Sequence, residues 1–354
     1  MGFAATFAPM IRFISSSLAL FSASALCLTL LLSACGNQES GNQTATPGVD
    51  PEISQLNAQI ESDPNNPQLY YLRGRLYWER EGYDEAMADA IRALDRDSLQ
   101  PAYYHLLADA LIDYGRPNDS RRALEVMEKA CLLFPDDELT WLKTSEFYLI
   151  VRKYAEALQK LDHILQRDPQ NAEAYFMSGR VALDKGDTLR AIKSLQKSVT
   201  IDAENKDAWI FLGRIFSNKG NAQALQYFDN ALRLDSTDVN VKEYKAGYFK
   251  AKGDFKKAFE LYRGIVVEHP DYSNAYFDMG LMFLDQDSIQ RAYEHFDRAV
   301  RTDPLFVIAY YYRGVASEAG GNLTSAIADY KQAASMSPNL PEPQEALKRL
   351  NVQQ

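Results

Sequence analysis

The side chains in this 354-residue sequence that could do chemistry are four histidines, three cysteines and a surplus of carboxylates. Acid–base catalysis or metal binding would need several of them to converge on one point. His105, His163, His269 and His295 stand far apart, without the paired spacing of a ligand set. No Gly-x-Ser-x-Gly elbow, no phosphate-cradling Gly-x-x-x-x-Gly-Lys loop and no Cys-x-x-Cys occurs. The sequence therefore points to no catalytic residue, no metal site and no cofactor, and the expectation is a protein that is not an enzyme. Cys131 follows the small residue Ala130 on an apolar helix face and reads as a buried structural thiol.

The elements that would position any functional residue repeat along the chain. Alanines recur at Ala86, Ala123, Ala157, Ala191, Ala224, Ala258, Ala292 and Ala326, with gaps of 37, 34, 34, 33, 34, 34 and 34 residues. Counting each unit from three residues before its first large aromatic, position 4 holds Tyr70, Tyr104, Trp141, Tyr175, Trp209, Tyr276 and Tyr310; Lys242 departs. Position 8 is always small (Gly74, Ala108, Ser145, Gly179, Gly213, Ala246, Gly280, Gly314), and proline stands at position 32 in Pro135, Pro169, Pro270, Pro304 and Pro338. Apolar residues at helical spacing mark two short helices per unit, separated by polar, glycine-bearing turns such as Asp184-Lys-Gly-Asp187. Small residues at positions 8 and 20 let the paired helices approach, and proline ends the second helix. One such unit leaves an apolar face wet, so the units must stack.

This pattern resembles the tetratricopeptide repeat over roughly residues 67 to 340. The resemblance implies an all-α fold, a right-handed superhelical solenoid of about eight helix-turn-helix units: 67–100, 101–137, 138–171, 172–205, 206–238, 239–272, 273–306 and 307–340. Residues 51–66 read as an orphan second helix that caps the start, and residues 341–354 as a polar capping helix at the end. The second unit carries three extra residues between its helices and the fifth lacks one.

The N-terminal segment is a different object. From Phe13 to Ala34 it is apolar or small and uncharged, and it closes on Leu32-Ser33-Ala34-Cys35. That closing motif resembles the bacterial lipoprotein signal, which implies removal of residues 1–34 and lipid on Cys35. The run is also long enough for a transmembrane anchor, but a cysteine at its end and a polar stretch beyond favour the lipid. Residues 35–50 would then be the acylated cysteine and a flexible tether with a reach of about 20 Å. Gly36, where an aspartate would signal retention, points to the outer membrane, facing the periplasm. Such a mature chain keeps only Cys35 and Cys131, so no disulfide framework can form within it. The formal charge of −10 argues against nucleic-acid binding, because a phosphate backbone would be repelled on average.

In related folds the first helix of each unit lines a concave groove through positions 2, 5, 6, 9, 12 and 13. Carried over, these positions place Lys143, Phe176, Arg180, Phe211 and Arg214 in the middle of the groove, a basic and apolar patch on an acidic protein. Arginine can hold a carboxylate by two parallel hydrogen bonds while phenylalanine buries an apolar anchor. The alternative is that the arginines pair with nearby acids. A second, more apolar strip holds Phe277, Leu281, Leu284, Tyr311, Tyr312 and Val315. No unit has the Lys and Asn at positions 5 and 9 by which some family members clamp a terminal carboxylate. The resulting expectation is a membrane-tethered adaptor that binds a protein or peptide segment in its groove and supports an envelope complex. Alternatives are a regulatory or substrate-presenting subunit of an envelope hydrolase, or a glycan binder using Tyr71, Trp78, Tyr311 and Tyr312.

Overall fold

The computed structural model describes residues 50 to 351, so the apolar N-terminal run, Cys35 and the tether lie outside the described residues. Helix α1 (Pro51–Ser62) precedes eight helix pairs. These are α2 (Pro67–Glu79) with α3 (Tyr83–Arg96), α4 (Pro101–Tyr114) with α5 (Asp119–Leu133), α6 (Glu138–Ile150) with α7 (Tyr154–Arg167), and α8 (Ala172–Asp184) with α9 (Thr188–Ile201). There follow α10 (Lys206–Asn218) with α11 (Gln223–Leu234), α12 (Val239–Ala251) with α13 (Phe255–Glu268), α14 (Ser273–Leu284) with α15 (Ile289–Thr302), and α16 (Val307–Ala319) with α17 (Leu323–Met336). Helix α18 (Pro341–Arg349) closes the array.

The helix boundaries follow from local chemistry. Side chains of Asn66, Asp137, Asn171, Asn205 and Asp238 accept a hydrogen bond from the first turn of α2, α6, α8, α10 and α12, satisfying amides that have no partner inside the helix. The turn inside every unit needs a left-handed residue at position 15. Gly115, Gly186, Gly220, Gly253 and Gly321 supply it without strain, whereas Glu81, Arg152 and Asp287 adopt it at φ of 62°, 59° and 54°.

All eight repeating alanines are completely buried. Position 8 is small because it faces position 24 of the same unit. A Cβ on Gly213 would stand 2.4 Å from the Phe228 ring, on Gly280 2.6 Å from Phe296, and on Gly314 2.7 Å from Tyr330. Each helix packs on its neighbours in sequence, and several first helices also touch the first helix of the next unit; second helices make no comparable contact with each other. First helices therefore form the inner wall of an all-α superhelical array and second helices its outer wall.

The ends are sealed by side-chain register. Arg313, at position 7 of the last unit, donates to Asp297, at position 25 of the unit before, at 2.8 Å; Lys245 meets Asp229 in the same way at 2.5 Å. Arg73, at position 7 of the first unit, meets Asn57 of α1 at 2.7 Å. Helix α1 thus sits where the second helix of a preceding unit would sit. At the other end Arg349 of α18 forks onto Glu318 at 2.6 and 2.8 Å, and Ala346 and Leu347 are buried in one cluster with Tyr330.

Candidate partner-binding groove

The inner wall of the third to fifth units is built by α6, α8 and α10. Apolar residues on the buried faces of these helices fix their roll, and the remaining face carries alternating acids, bases and rings. Phe176 is buried against Phe211, with ring centroids 5.9 Å apart. Phe211 itself is half-buried. The Arg180 guanidinium lies 5.9 Å from the Phe176 ring, and Arg214 lies 5.1 Å from the ring of Tyr244 on the next unit.

The structure brings the sequence-predicted patch together, but it also brings acids to it. The Lys143 Nζ donates to both carboxylate oxygens of Asp109 on α4, at 2.8 and 2.7 Å. Arg180 stands 3.8 Å from Glu146 on α6. Two further carboxylates, Glu173 and Asp207, occupy position 2 of α8 and α10, one unit apart. Burial pushes the carboxyl groups of Asp109 and Glu146 above their ordinary range, and Asp207, though exposed at its outer side, is raised by partial desolvation against the pull of Lys206 and Arg180. Glu173 goes furthest, up to about 7: desolvation dominates, Arg180 opposes it, and repulsion from Glu146 and Asp207 adds to it. The patch is therefore not a basic surface in an acidic protein. Its cations are outnumbered, and Arg180 is the cation that Glu146, Glu173 and Asp207 all feel. The sequence signal that could have shown this was present: acids at positions 2 and 9 of the first helices, on the same face as the arginines.

The second strip is drawn inward. Phe277 packs on Phe296, Phe306 and Tyr312 at centroid distances of 5.6, 5.1 and 5.5 Å, and Tyr311 packs on Tyr312 and Tyr330. These rings join the seventh unit to the eighth. Of the rings proposed for sugar stacking, Tyr71 lies 5.3 Å from Tyr103 and Trp78 donates to Asp113 at 2.8 Å.

The histidines are separate in space as in sequence. His105 is buried and meets the Thr140 hydroxyl at 2.7 Å, linking the second unit to the third, and burial lowers it to about 4. His163 stacks on Trp141 at 3.6 Å, and His295 lies 4.9 Å from the Phe283 ring. Among the described residues no three His, Cys, Asp or Glu side chains form a group that could hold a metal ion. Cys131 is buried with its Sγ 3.3 Å from the Thr144 hydroxyl, and burial pushes the thiol up, away from the reactive thiolate.

Comparison with known proteins agrees with this architecture. Tetratricopeptide-repeat profiles match residues 67–98, 148–208 and 277–341. A TPR repeat-containing protein of Methanocaldococcus jannaschii is 24% identical over 216 residues, 56% of this chain and 38% of that one. The human mitochondrial import receptor subunit TOM70 is 21% identical over 283 residues, 75% of this chain and 46% of that one. A rice DnaJ protein, P58IPK homolog B, is 25% identical over 86% of this chain and 63% of its own. The chain thus spans less than two thirds of the length of these relatives. Two solved structures share the fold at low identity. A tetratricopeptide repeat protein from Parabacteroides merdae superposes with a TM-score of 0.53 at 20% identity, over 69% of this chain and 97% of that one. The type IV pilus biogenesis factor PilW superposes with a TM-score of 0.51 at 18% identity, over 60% of this chain and 99% of that one. The helix pairs, the buried alanines and these matches agree: the chain carries an array of tetratricopeptide repeats.

Proposed function

We propose that this repeat array is a lipid-tethered adaptor of the bacterial envelope that holds a segment of a partner protein in the groove of its third to fifth units. Tetratricopeptide arrays are protein–protein interaction scaffolds, and the tether and the envelope setting rest on the Leu32-Ser33-Ala34-Cys35 motif. One observation carries the choice of site. Glu146, Glu173 and Asp207 share Arg180 beside the half-buried Phe211 ring, while Lys143 and Lys206, which also act on Glu146 and Asp207, are already held by Asp109 and by Asp235 and Asp238, so negative charge predominates in this stretch of wall. A partner segment with a basic side chain next to an apolar one would fill that deficit and cover the ring. The arginines would then orient the acids rather than hold a ligand carboxylate themselves.

The test is a photo-crosslinking residue at Phe211 in the full chain, expressed in its own envelope, with the same label at the 83% exposed Leu132 of α5 as a control. The expected result is one partner captured at Phe211 and not at Leu132, with capture lost in Glu173→Gln/Asp207→Asn. Equal capture at both places, or capture indifferent to the double variant, refutes the groove assignment. Radiolabelled palmitate should enter the wild type and not Cys35→Ala; incorporation into both would remove the tether.

A further inference from the structure

The outer wall carries a feature of the opposite sign. Between α13 and α15, the second helices of the sixth and seventh units, lies a cavity of about 320 Å³. Met279 and Tyr276 of α14, both buried, form its floor, and Phe259 and Val266 of α13 form an apolar wall. Its rim holds Arg263 and Arg298, both exposed. Among the described residues, Arg263 and Arg298 make no ion pair, and neither does the nearby Arg291. Along the same helix the contrast is with Arg301, one helical turn beyond Arg298, which is paired with Asp297 at 2.8 Å. The unpaired guanidiniums instead lie over rings: Arg298 is 5.8 Å from Tyr276 and Arg291 is 5.6 Å from Phe283.

We infer that this cavity is a binding site for a small organic monocarboxylate with an aromatic or branched apolar body. Its volume sits at the lower end of ligand pockets, about 300–1,000 Å³, enough for one ring with a short acid arm. The floor and wall desolvate the apolar body, and the two guanidinium forks on the rim match the planar geometry of a carboxylate. Glu294 selects the charge. It also lines the cavity, with its carboxylate accepting from Gln290 at 2.9 Å, and its negative charge penalises a dianion more than a monoanion. His295 adds no cation, because burial holds it below its ordinary range and leaves it neutral at pH 7. The site is on the opposite wall from the groove, so it stands or falls independently of the partner reading.

The experiment is a calorimetric titration of the full chain with 3-phenylpropanoate and, separately, with 3-phenylpropanamide, its neutral counterpart. The acid should bind about tenfold more tightly than the amide, the scale of one charge-assisted interaction. Arg263→Gln/Arg298→Gln, on exposed positions and with unchanged circular dichroism, should abolish the preference. Glu294→Gln should tighten the acid severalfold and leave the amide unaffected. Equal binding of acid and amide, absence of binding by either, or an acid affinity unchanged in the double arginine variant overturns the assignment.

Discussion

In the first unit Asp89 is closed off from solvent, yet Arg73 grips both of its oxygens at 2.7 Å and Arg92 adds a third bond at 2.7 Å. The last unit repeats the fork, with Arg313 on both oxygens of Asp329 at 3.0 and 2.7 Å. In the fourth and fifth units Glu173 and Asp207 sit on the inner wall with no such fork, sharing the field of Arg180. The terminal units have a full repeat on one side only and a single capping helix on the other. A one-dimensional array frays from its ends, so that is where a paired charge contributes most to a defined structure. The central units are held from both sides and can tolerate charge that folding alone would have neutralised. Uncompensated charge in the best-supported part of an array is what a binding surface needs: rigid backbone and unsatisfied electrostatics.

The largest effect that could break this comparison is at the fork. Asp89→Ala leaves the Arg73 guanidinium half-buried with only Asn57 as partner. A loss of about 3–5 kcal/mol is expected, the usual cost of removing one member of a buried pair. Hydrogen exchange should localise it to α1, α2 and α3, leaving the centre protected. The double variant Arg73→Met/Asp89→Leu should recover most of the loss. A deficit under about 1 kcal/mol in denaturant unfolding would mean that the fork is ornamental and the ends are sealed by apolar packing alone.

The repeat was legible from Ala86 to Ala326 because packing at helix crossings admits few residue types, and the same constraint recurs in every unit. The turns were legible only in part. Glu81-Gly-Tyr-Asp84 signals a turn, but the left-handed residue is Glu81 and Gly82 has φ −80°, so the visible glycine marks the wrong position. At the candidate groove the spacing placed the arginines beside the rings, and the structure adds the acids, as in the reading that the arginines pair with nearby carboxylates. Arg180 and Arg214 stood out against an acidic chain, whereas Glu173 and Asp207 merged into a background of carboxylates. Whether a carboxylate is solvated or desolvated depends on which neighbour covers it, and spacing along one chain does not encode that. Nor does spacing show that Phe277 and Tyr312, both only partly exposed, also pack on Phe296.

A smaller effect tests the centre directly. Arg180→Met removes the cation that Glu146, Glu173 and Asp207 have in common, at a cost of about 2 kcal/mol near pH 8. The cost should shrink towards pH 5, where Glu173 holds its proton and no longer needs the arginine. An equal cost at both pH values would show that Arg180 acts by packing on Phe176 and Met177 instead.

The subtlest test uses two groups, in the second and fourth units, whose titrations oppose each other. His105 is lowered from 6.5 to about 4, so between those values the unfolded chain binds a proton that the folded one refuses. Its contribution makes stability rise with pH across that window and is lost on acidification. Glu173 is raised from 4.5 to about 7, so there the folded chain holds a proton that the unfolded one has released. Its contribution makes stability fall as pH rises through the same range. Compared with wild type, Glu173→Gln should therefore gain about 1 kcal/mol above pH 7 and nothing below pH 4.5, after allowance for solvent screening. A glutamine amide extends as far as the imidazole Nε2 that meets the Thr140 hydroxyl, so His105→Gln should change stability only below pH 6.5, in the stabilising direction. Thermal unfolding across pH 4 to 8 would read both differences. If the two variants shift the profile with the same sign of slope, the burial of one of these groups has been misassigned, and with it the distinction between a histidine that links two units and a carboxylate left on the inner wall.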